Sequence, residues 1–255
     1  MYKDKILNQA TVYAENTMKT LYFTPKFSER YFSNYVQYHQ VPSKEDLQLD
    51  MEVMRTLQSN NENHFIHFQF DEGMQIPEEI YAYLRANNFE FSEYVFMEHD
   101  NKDFPFSRLR QPIQIKKVDG KNMLDYLAHE RKFHEVYGQN FARQMIDVTH
   151  EFFMMPKSHI LIAVDDFNNI VGSLNVLEHD DYVEFDEFQV DEEYRRQGIG
   201  SALQEAGIKI ANGKKVILVA EKESPAKEMY LKQGYQVKGS YQAALYVQPE
   251  GFENI

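Results

Sequence analysis

Tyr194-Arg195-Arg196-Gln197-Gly198-Ile199-Gly200-Ser201-Ala202-Leu203 is the stretch on which the fold turns. An alternating run, Val183-Glu184-Phe185-Asp186-Glu187-Phe188-Gln189-Val190, precedes it. After it, Ile199, Leu203, Ala206 and Ile210 recur at spacings that place them on one helical face. The order is strand, glycine turn, helix start. Glycines at 198 and 200 let the backbone turn sharply and approach a ligand without an intervening Cβ. The first N–H groups of a helix have no partner inside it and carry the positive end of its dipole, so phosphates bind there. Arg195 and Arg196 add fixed charge suited to phosphate oxygens. The same six residues would also serve as a tight turn with no ligand, so the flanking sequence has to decide.

Upstream, Ile113–Val118 reads as a short strand, 122–137 and 141–154 as helices, and Ile160–Val164 and Ile170–Glu178 as strands. Downstream, Gly213 stops the helix 199–212, and Val216–Ala220 is an unbroken apolar strand. Ser224 and Pro225 open a further helix and Gly234 ends it; Tyr235–Gly239 and Tyr241–Gln248 follow as strands. A second motif, Ala226-Lys227-Glu228-Met229-Tyr230-Leu231-Lys232-Gln233-Gly234-Tyr235, lies about thirty residues beyond the first.

Arg195-x-x-Gly198-x-Gly200 and Ala226-x-x-x-Tyr230-x-x-x-Gly234-Tyr235, in that order, resemble the paired motifs of the GNAT superfamily of N-acetyltransferases. The resemblance covers roughly residues 110–250. It implies an α/β (α+β) fold with a mixed, mostly antiparallel sheet flanked by helices, and acetyl-CoA as acyl donor. The backbone of Phe188–Val190 would pair with the pantetheine arm. The N–H groups from Gln197 through Gly198, Ile199 and Gly200 to Ser201, with Arg195 and Arg196, would hold the pyrophosphate. Tyr230 occupies the position of the acid that protonates the leaving thiolate, although the same residue also fits an apolar helical face. Glu184, six residues before Val190, corresponds to the general base of some members; an exposed strand carboxylate is the plain alternative, and Asp186 or water stands in reserve. By alternation Glu184, Asp186, Phe188 and Val190 share one strand face. The family often has asparagine where this chain has Glu223, which puts some coenzyme contacts in doubt.

The first hundred residues read differently. Of eleven glycines only Gly73 precedes residue 120, so no comparable phosphate loop is available there. Tyr31–His39, His64–Phe70 and Phe89–His99 read as strands, and Ser43 and Pro77 as helix starts, with Asp46 completing a capping box. Asn88 before Phe89 stands where a GNAT domain carries the glycine of its closing turn. The region therefore resembles a degenerate GNAT-like half, with a small unrelated α/β domain as the alternative. Domains are expected at 1–104 and 113–255, joined by a linker at 105–112.

Composition excludes other classes. The net charge is −13, with both parts acidic, which argues against nucleic acid and anionic membranes as partners. No cysteine is present, so thiolate chemistry and cysteine-ligated metals are out. His64-x-x-His67 points to opposite faces of a strand, and His129 and His134 diverge by about 140° on a helix of 3.6 residues per turn, so no metal is expected. The N-terminus lacks the apolar core of a signal peptide and no transmembrane run exists, which suggests the cytoplasm. The expected function is acetyl transfer from acetyl-CoA to a primary amine of a small molecule or protein, without a covalent enzyme intermediate. The alternative is a catalytically inactive acyl-CoA-binding or protein-interaction module. The acceptor, which in GNAT domains lies around the first two helices (here near His134, Tyr137 and Phe141), carries no diagnostic motif, and homo-oligomerisation is left open.

Overall fold

The structure, a computed structural model, describes residues 1–59, 64–101, 104–105 and 108–248. Lys102, Asp103, Phe106 and Ser107 near the expected linker, and 249–255 of the expected second domain, lie outside the described residues. In chain order the elements are β1 (Val12–Glu15), β2 (Lys19–Tyr22), β3 (Tyr35–Tyr38), α1 (Lys44–Leu57), β4 (Phe65–Phe70), α2 (Glu78–Ala86) and β5 (Glu90–His99). They continue as β6 (Gln114–Lys117), α3 (Met123–His134), α4 (Gln139–Met154), β7 (Ser158–Val164), β8 (Ile170–Glu178), β9 (Tyr182–Val190), α5 (Ile199–Ala211), β10 (Lys215–Glu221), α6 (Pro225–Lys232) and β11 (Gln236–Val247). Two compact units result. One takes Met1–Val95, Glu221–Ser224 and Gly239–Ile255, and the other Phe96–Ala220 and Pro225–Lys238. Among the described residues no helix is long and apolar enough to cross a membrane.

In the first unit β1, β2 and β3 are antiparallel neighbours, β3 and β4 run parallel, and β4 pairs antiparallel with β11. Tyr31–Ser33 is a 3-10 turn rather than the start of the expected strand, because Asn34 spends its amide on the carbonyls of Phe27 and Arg30 and holds that turn. The capping box of α1 is complete: Ser43 Oγ accepts from Asp46 N at 3.1 Å, and Asp46 Oδ2 accepts from Ser43 N at 2.9 Å. Asn88 adopts φ 62° and stops α2, while Phe89 N donates to Leu84 O. Every residue of β4 is buried, and Ile66, Phe68 and Phe70 pack in a core with Leu47, Met54, Ile80, Leu84 and Phe89. Each such large apolar side chain removed from water contributes about 1.5–3 kcal/mol. The expected break between two strands near Gly239 is absent, and β11 runs through. A Cβ at Gly239 would press on the carboxylate end of Glu72, which would have to move aside.

In the second unit β6, β7, β8 and β9 form an antiparallel ladder, and β10 joins β9 in parallel. Helix α5 packs on β7, β8 and β9; α3 and α4 pack on each other and on β8 and β7 respectively. Asn212, at φ 49°, already turns α5 out of its helix one residue before the expected stop at Gly213.

Candidate active site

Two irregularities in β9 open the second unit's sheet. The first is a bulge. Ser173 faces Gln189 and Asn175 faces Asp186, so two residues of β9 oppose the single Leu174, and Glu187 takes φ 45°. The extra residue resets the alternation. Phe185 and Phe188 now point to the same side, against α5, where a Cβ on Gly207 or Gly200 would strike their rings. Gln189 points the other way and donates to Glu130 of α3. The expectation that Glu184, Asp186, Phe188 and Val190 share a face therefore fails beyond the bulge: Phe188 and Val190 lie opposite Glu184 and Asp186.

The second irregularity is a splay. β9 and β10 pair only over Tyr182–Glu184 against Lys215–Ile217, after which the strands separate. Beyond the bulge Gln189 and Val190 keep their β8 partners on one edge, and Phe188–Val190 leaves the edge toward β10 open. Glu184 sits at the apex of this cleft, buried, with His179 Nε2 at 3.5 Å and the Tyr182 ring stacked on the imidazole.

At the end of β9, Arg195 Nε donates to Val190 O at 3.1 Å and folds the chain back on the strand. Arg196 follows at φ 59° and Gly198 at φ 88°, and α5 begins with no side-chain cap. No acceptor among the described residues takes the N–H groups of Arg196, Gln197, Gly198, Ile199 or Gly200. Both glycines are also required by the protein itself. A Cβ at Gly198 would lie 2.8 Å from Arg108 O, and one at Gly200 would lie 2.8 Å from the Phe188 ring. Arg110 N donates to Gln197 O at 3.1 Å, so the segment before β6 braces the turn.

Tyr230 comes from α6, which is tied to α5 by buried amides: Gln204 Nε2 donates to Gln233 Oε1 at 3.1 Å, and Tyr235 Oη donates to Gln204 Oε1 at 3.2 Å. Its ring lies 6.2 Å from that of Phe188. The Tyr230 hydroxyl has no hydrogen-bond partner among the described residues. Burial first, then the negative charge of Asp186, pushes its pKa above the usual phenol value. The phenol is thus protonated at ordinary pH, the state in which an acid must start. Of the two candidate bases, Asp186 is the one whose charge is felt at Tyr230.

One cluster goes unread in the sequence, where His129 and His134 are set aside as metal ligands and His134 enters only as a residue near the expected acceptor site. Both imidazoles meet at the carboxylate between them. His129 Nδ1 lies 3.6 Å and His134 Nε2 3.5 Å from Glu130, and His129 Nε2 lies 3.0 Å from Asp191 at the end of β9. Glutamate and histidine four residues apart on a helix was the available signal. Among the described residues no group of three or more side chains is arranged to hold a metal ion. A groove of about 470 Å³ between α5 and β6–β7, lined by Ile115, Leu161 and Ala206 among others, contains none of these site residues.

With this geometry in hand, the relatives are informative. Residues 156–237 match the model of the acetyltransferase (GNAT) domain. That stretch carries the chain's likeness to the GNAT family. Residues 1–98 match a domain of unknown function, DUF5613. A functionally unknown conserved protein of Staphylococcus epidermidis shares 28% identity with a TM-score of 0.82 over 96% of both chains. A GNAT protein of Sphaerobacter thermophilus superposes with a TM-score of 0.62 at 15% identity, covering 94% of this chain and 83% of the other. A tandem GNAT protein from the clavulanic acid biosynthesis pathway gives 0.54 at 10% identity, covering 91% and 80%. The last two likenesses are of fold. No curated protein matches the chain. The splay, the bulge and the uncapped α5 all fall within the matched residues.

Proposed function

We propose that the chain transfers an acetyl group from acetyl-CoA to a primary amine. The observation that carries this reading is the uncapped start of α5 at the mouth of the β9–β10 splay, with the Tyr230 phenol beside the bulged strand. Unanswered N–H groups at a helix start, with Arg195 and Arg196 alongside, suit a pyrophosphate. The open edge of Phe188–Val190 suits an amide-bearing arm that pairs like a strand. The donor supplies a thioester carbon to the amine, and the protein's part is to position it, remove a proton from the amine and return one to the thiolate. Tyr230 fits the second task, since its neutral phenol faces no competing acceptor. Glu184 and Asp186 are both available for the first. The missing cysteine agrees with direct attack, and we place the activity in the cytoplasm. Glu223 remains the departure from the family pattern; it falls in the first unit's segment Glu221–Ser224.

Calorimetry with acetyl-CoA tests this reading, using Arg196→Ala rather than a glycine variant, because the glycines are needed for packing. Tight binding that weakens in the variant, followed by acetylation of a primary amine that is lost in Tyr230→Phe, is the expected result. A folded protein that does not bind acetyl-CoA would overturn it, and binding without transfer to any amine would leave an acyl-CoA-binding module.

A further inference from the structure

The α3 side of β9 carries polar groups that the proposed donor site does not use. Glu130 is 3% and His134 5% exposed, and one helical turn separates them. Burial alone would raise Glu130, but the neighbouring His129 and His134 imidazoles outweigh it and hold the carboxyl below its ordinary value. His129 is anchored at one nitrogen, Nε2, by Asp191 at 3.0 Å, while its Nδ1 stands 3.6 Å from Glu130. His134 has no such anchor. Among the described residues neither of its buried ring nitrogens makes a hydrogen bond, and its approach to Glu130 is an ion-pair distance only. Asn175 Oδ1, on β8 opposite Asp186, is a further buried polar atom with no partner among the described residues. Buried polar atoms are usually paired, so a group of orphans on one side of a sheet marks a place where water or a polar ligand can be received. These lie on the side of the sheet that faces α3, opposite the Phe188 ring and α5.

We propose that His134 takes the proton from the acceptor's ammonium group, with Glu130 orienting the ring, and that Asn175 Oδ1 accepts a second N–H of the same group. This rests on the acyl-transfer reading and assigns its base. With Nε2–H directed at Glu130, the lone pair on Nδ1 receives the proton. The freed amine lone pair forms the new N–C bond as the C–S bond breaks. Tyr230 protonates the thiolate and is replenished by the second proton leaving the amide nitrogen, so one proton leaves overall, from His134. Its imidazolium is balanced by the adjacent carboxylate. An ammonium brings three donors, and Nδ1 and Asn175 Oδ1 would take two of them. The groups that would govern the titration of His134 are Glu130, His129 and Tyr126 on α3 and Asp191 beyond β9; α4 presents the Phe141 ring. Val136 and Tyr137, exposed in the turn after α3, favour an acceptor with an apolar body, such as phenethylamine.

Two measurements decide it. With ¹⁵N-labelled histidine, phenethylamine titrated against the protein and coenzyme A should move the His134 ring signals saturably, and a titration that leaves them still overturns the proposal whether or not transfer is observed. In the transfer assay, His134→Gln should lower kcat on the order of 100-fold, remove the acidic limb of the kcat–pH profile and leave acetyl-CoA affinity unchanged. Glu130→Gln should displace that limb rather than abolish it. Retention of the limb in His134→Gln, with its loss in Glu184→Gln or Asp186→Asn, assigns the proton to a β9 carboxylate instead. Failure of acetyl-CoA to bind at all would strike the donor site and not the His134 titration.

Discussion

Each unit contains one parallel strand–helix–strand step, β3–α1–β4 in the first and β9–α5–β10 in the second, and the two differ wherever a ligand would enter. β3 pairs with β4 up to its last residue, Val36–Tyr38 against Phe68–Phe70, and β4 is buried throughout. β9 pairs with β10 for three residues and then parts from it. The first N–H groups of α1 are answered by Ser43 and by the carboxylate of Asp46 through the backbone of the cap. Those of α5 begin at a glycine with no side-chain cap. A helix start is an anion site only when the chain has left it unanswered. The same topology is closed in one unit and open in the other.

Tyr230→Phe should break the comparison most sharply. Turnover is expected to fall on the order of 100-fold with acetyl-CoA affinity unchanged, measured by steady-state kinetics beside calorimetry. An equal loss of affinity would show that the phenol holds the donor rather than the leaving group. Gly200→Ala comes next. Its methyl would press on the Phe188 ring at 2.8 Å, and overpacking of this kind costs about 1–3 kcal/mol, read by urea unfolding. A neutral result would mean that the turn adapts freely.

Two surface changes should then separate the helix starts. Arg196→Ala should weaken acetyl-CoA binding about tenfold, less at high salt, with stability unaltered. Ser43→Ala should cost about 1 kcal/mol of stability and leave acetyl-CoA binding alone. If Ser43→Ala altered binding, the first unit would not be ligand-free in the sense drawn here.

The smallest effects concern pH and carry opposite signs. Burial alone would lower His129 in the second unit, but Asp191 and Glu130 hold it up at about 9 against the ordinary 6.5. Its folded value is raised, so the stability it contributes is complete below 6.5 and is lost as pH climbs through 9. Lys3 in the first unit is lowered by burial from 10.5 to about 8, with Asp71, Asp4 and Glu72 opposing. Between 8 and 10.5 the unfolded chain holds the Lys3 proton and the folded one does not, so stability there rises with pH. Amide exchange in β8 should therefore quicken from pH 6.5 to 9 relative to its intrinsic rate, while that in β4 slows between 8 and 10.5. Loss of the β8 trend in Asp191→Asn would tie it to His129.

Local signals were the legible ones. The capping box at Ser43, Pro77 ahead of α2 and the left-handed Asn88 were readable because each depends on a few neighbouring atoms. The hairpin of β1 and β2 carried no such signal, since β1 is exposed along its whole length and shows no alternation. The face assignment of β9 failed for a related reason. A bulge is set by a mismatch with the partner strand, here Leu174 of β8, and no residue of β9 announces it.

By itself the sequence determined the glycine turn, the order of strands and helices around it, the family they resemble and the tyrosine that follows, because these rest on spacing and backbone preference. Tertiary structure alone decided that the last strand pairs with β4, that β9 parts from β10 after Glu184, and that His129, Glu130 and His134 gather with Gln189 into one largely buried cluster. The reason is physical. Periodicity fixes which way a side chain leaves its own backbone, but strand pairing and the desolvation of charged groups depend on chain segments tens of residues away, and those meet only when the protein folds.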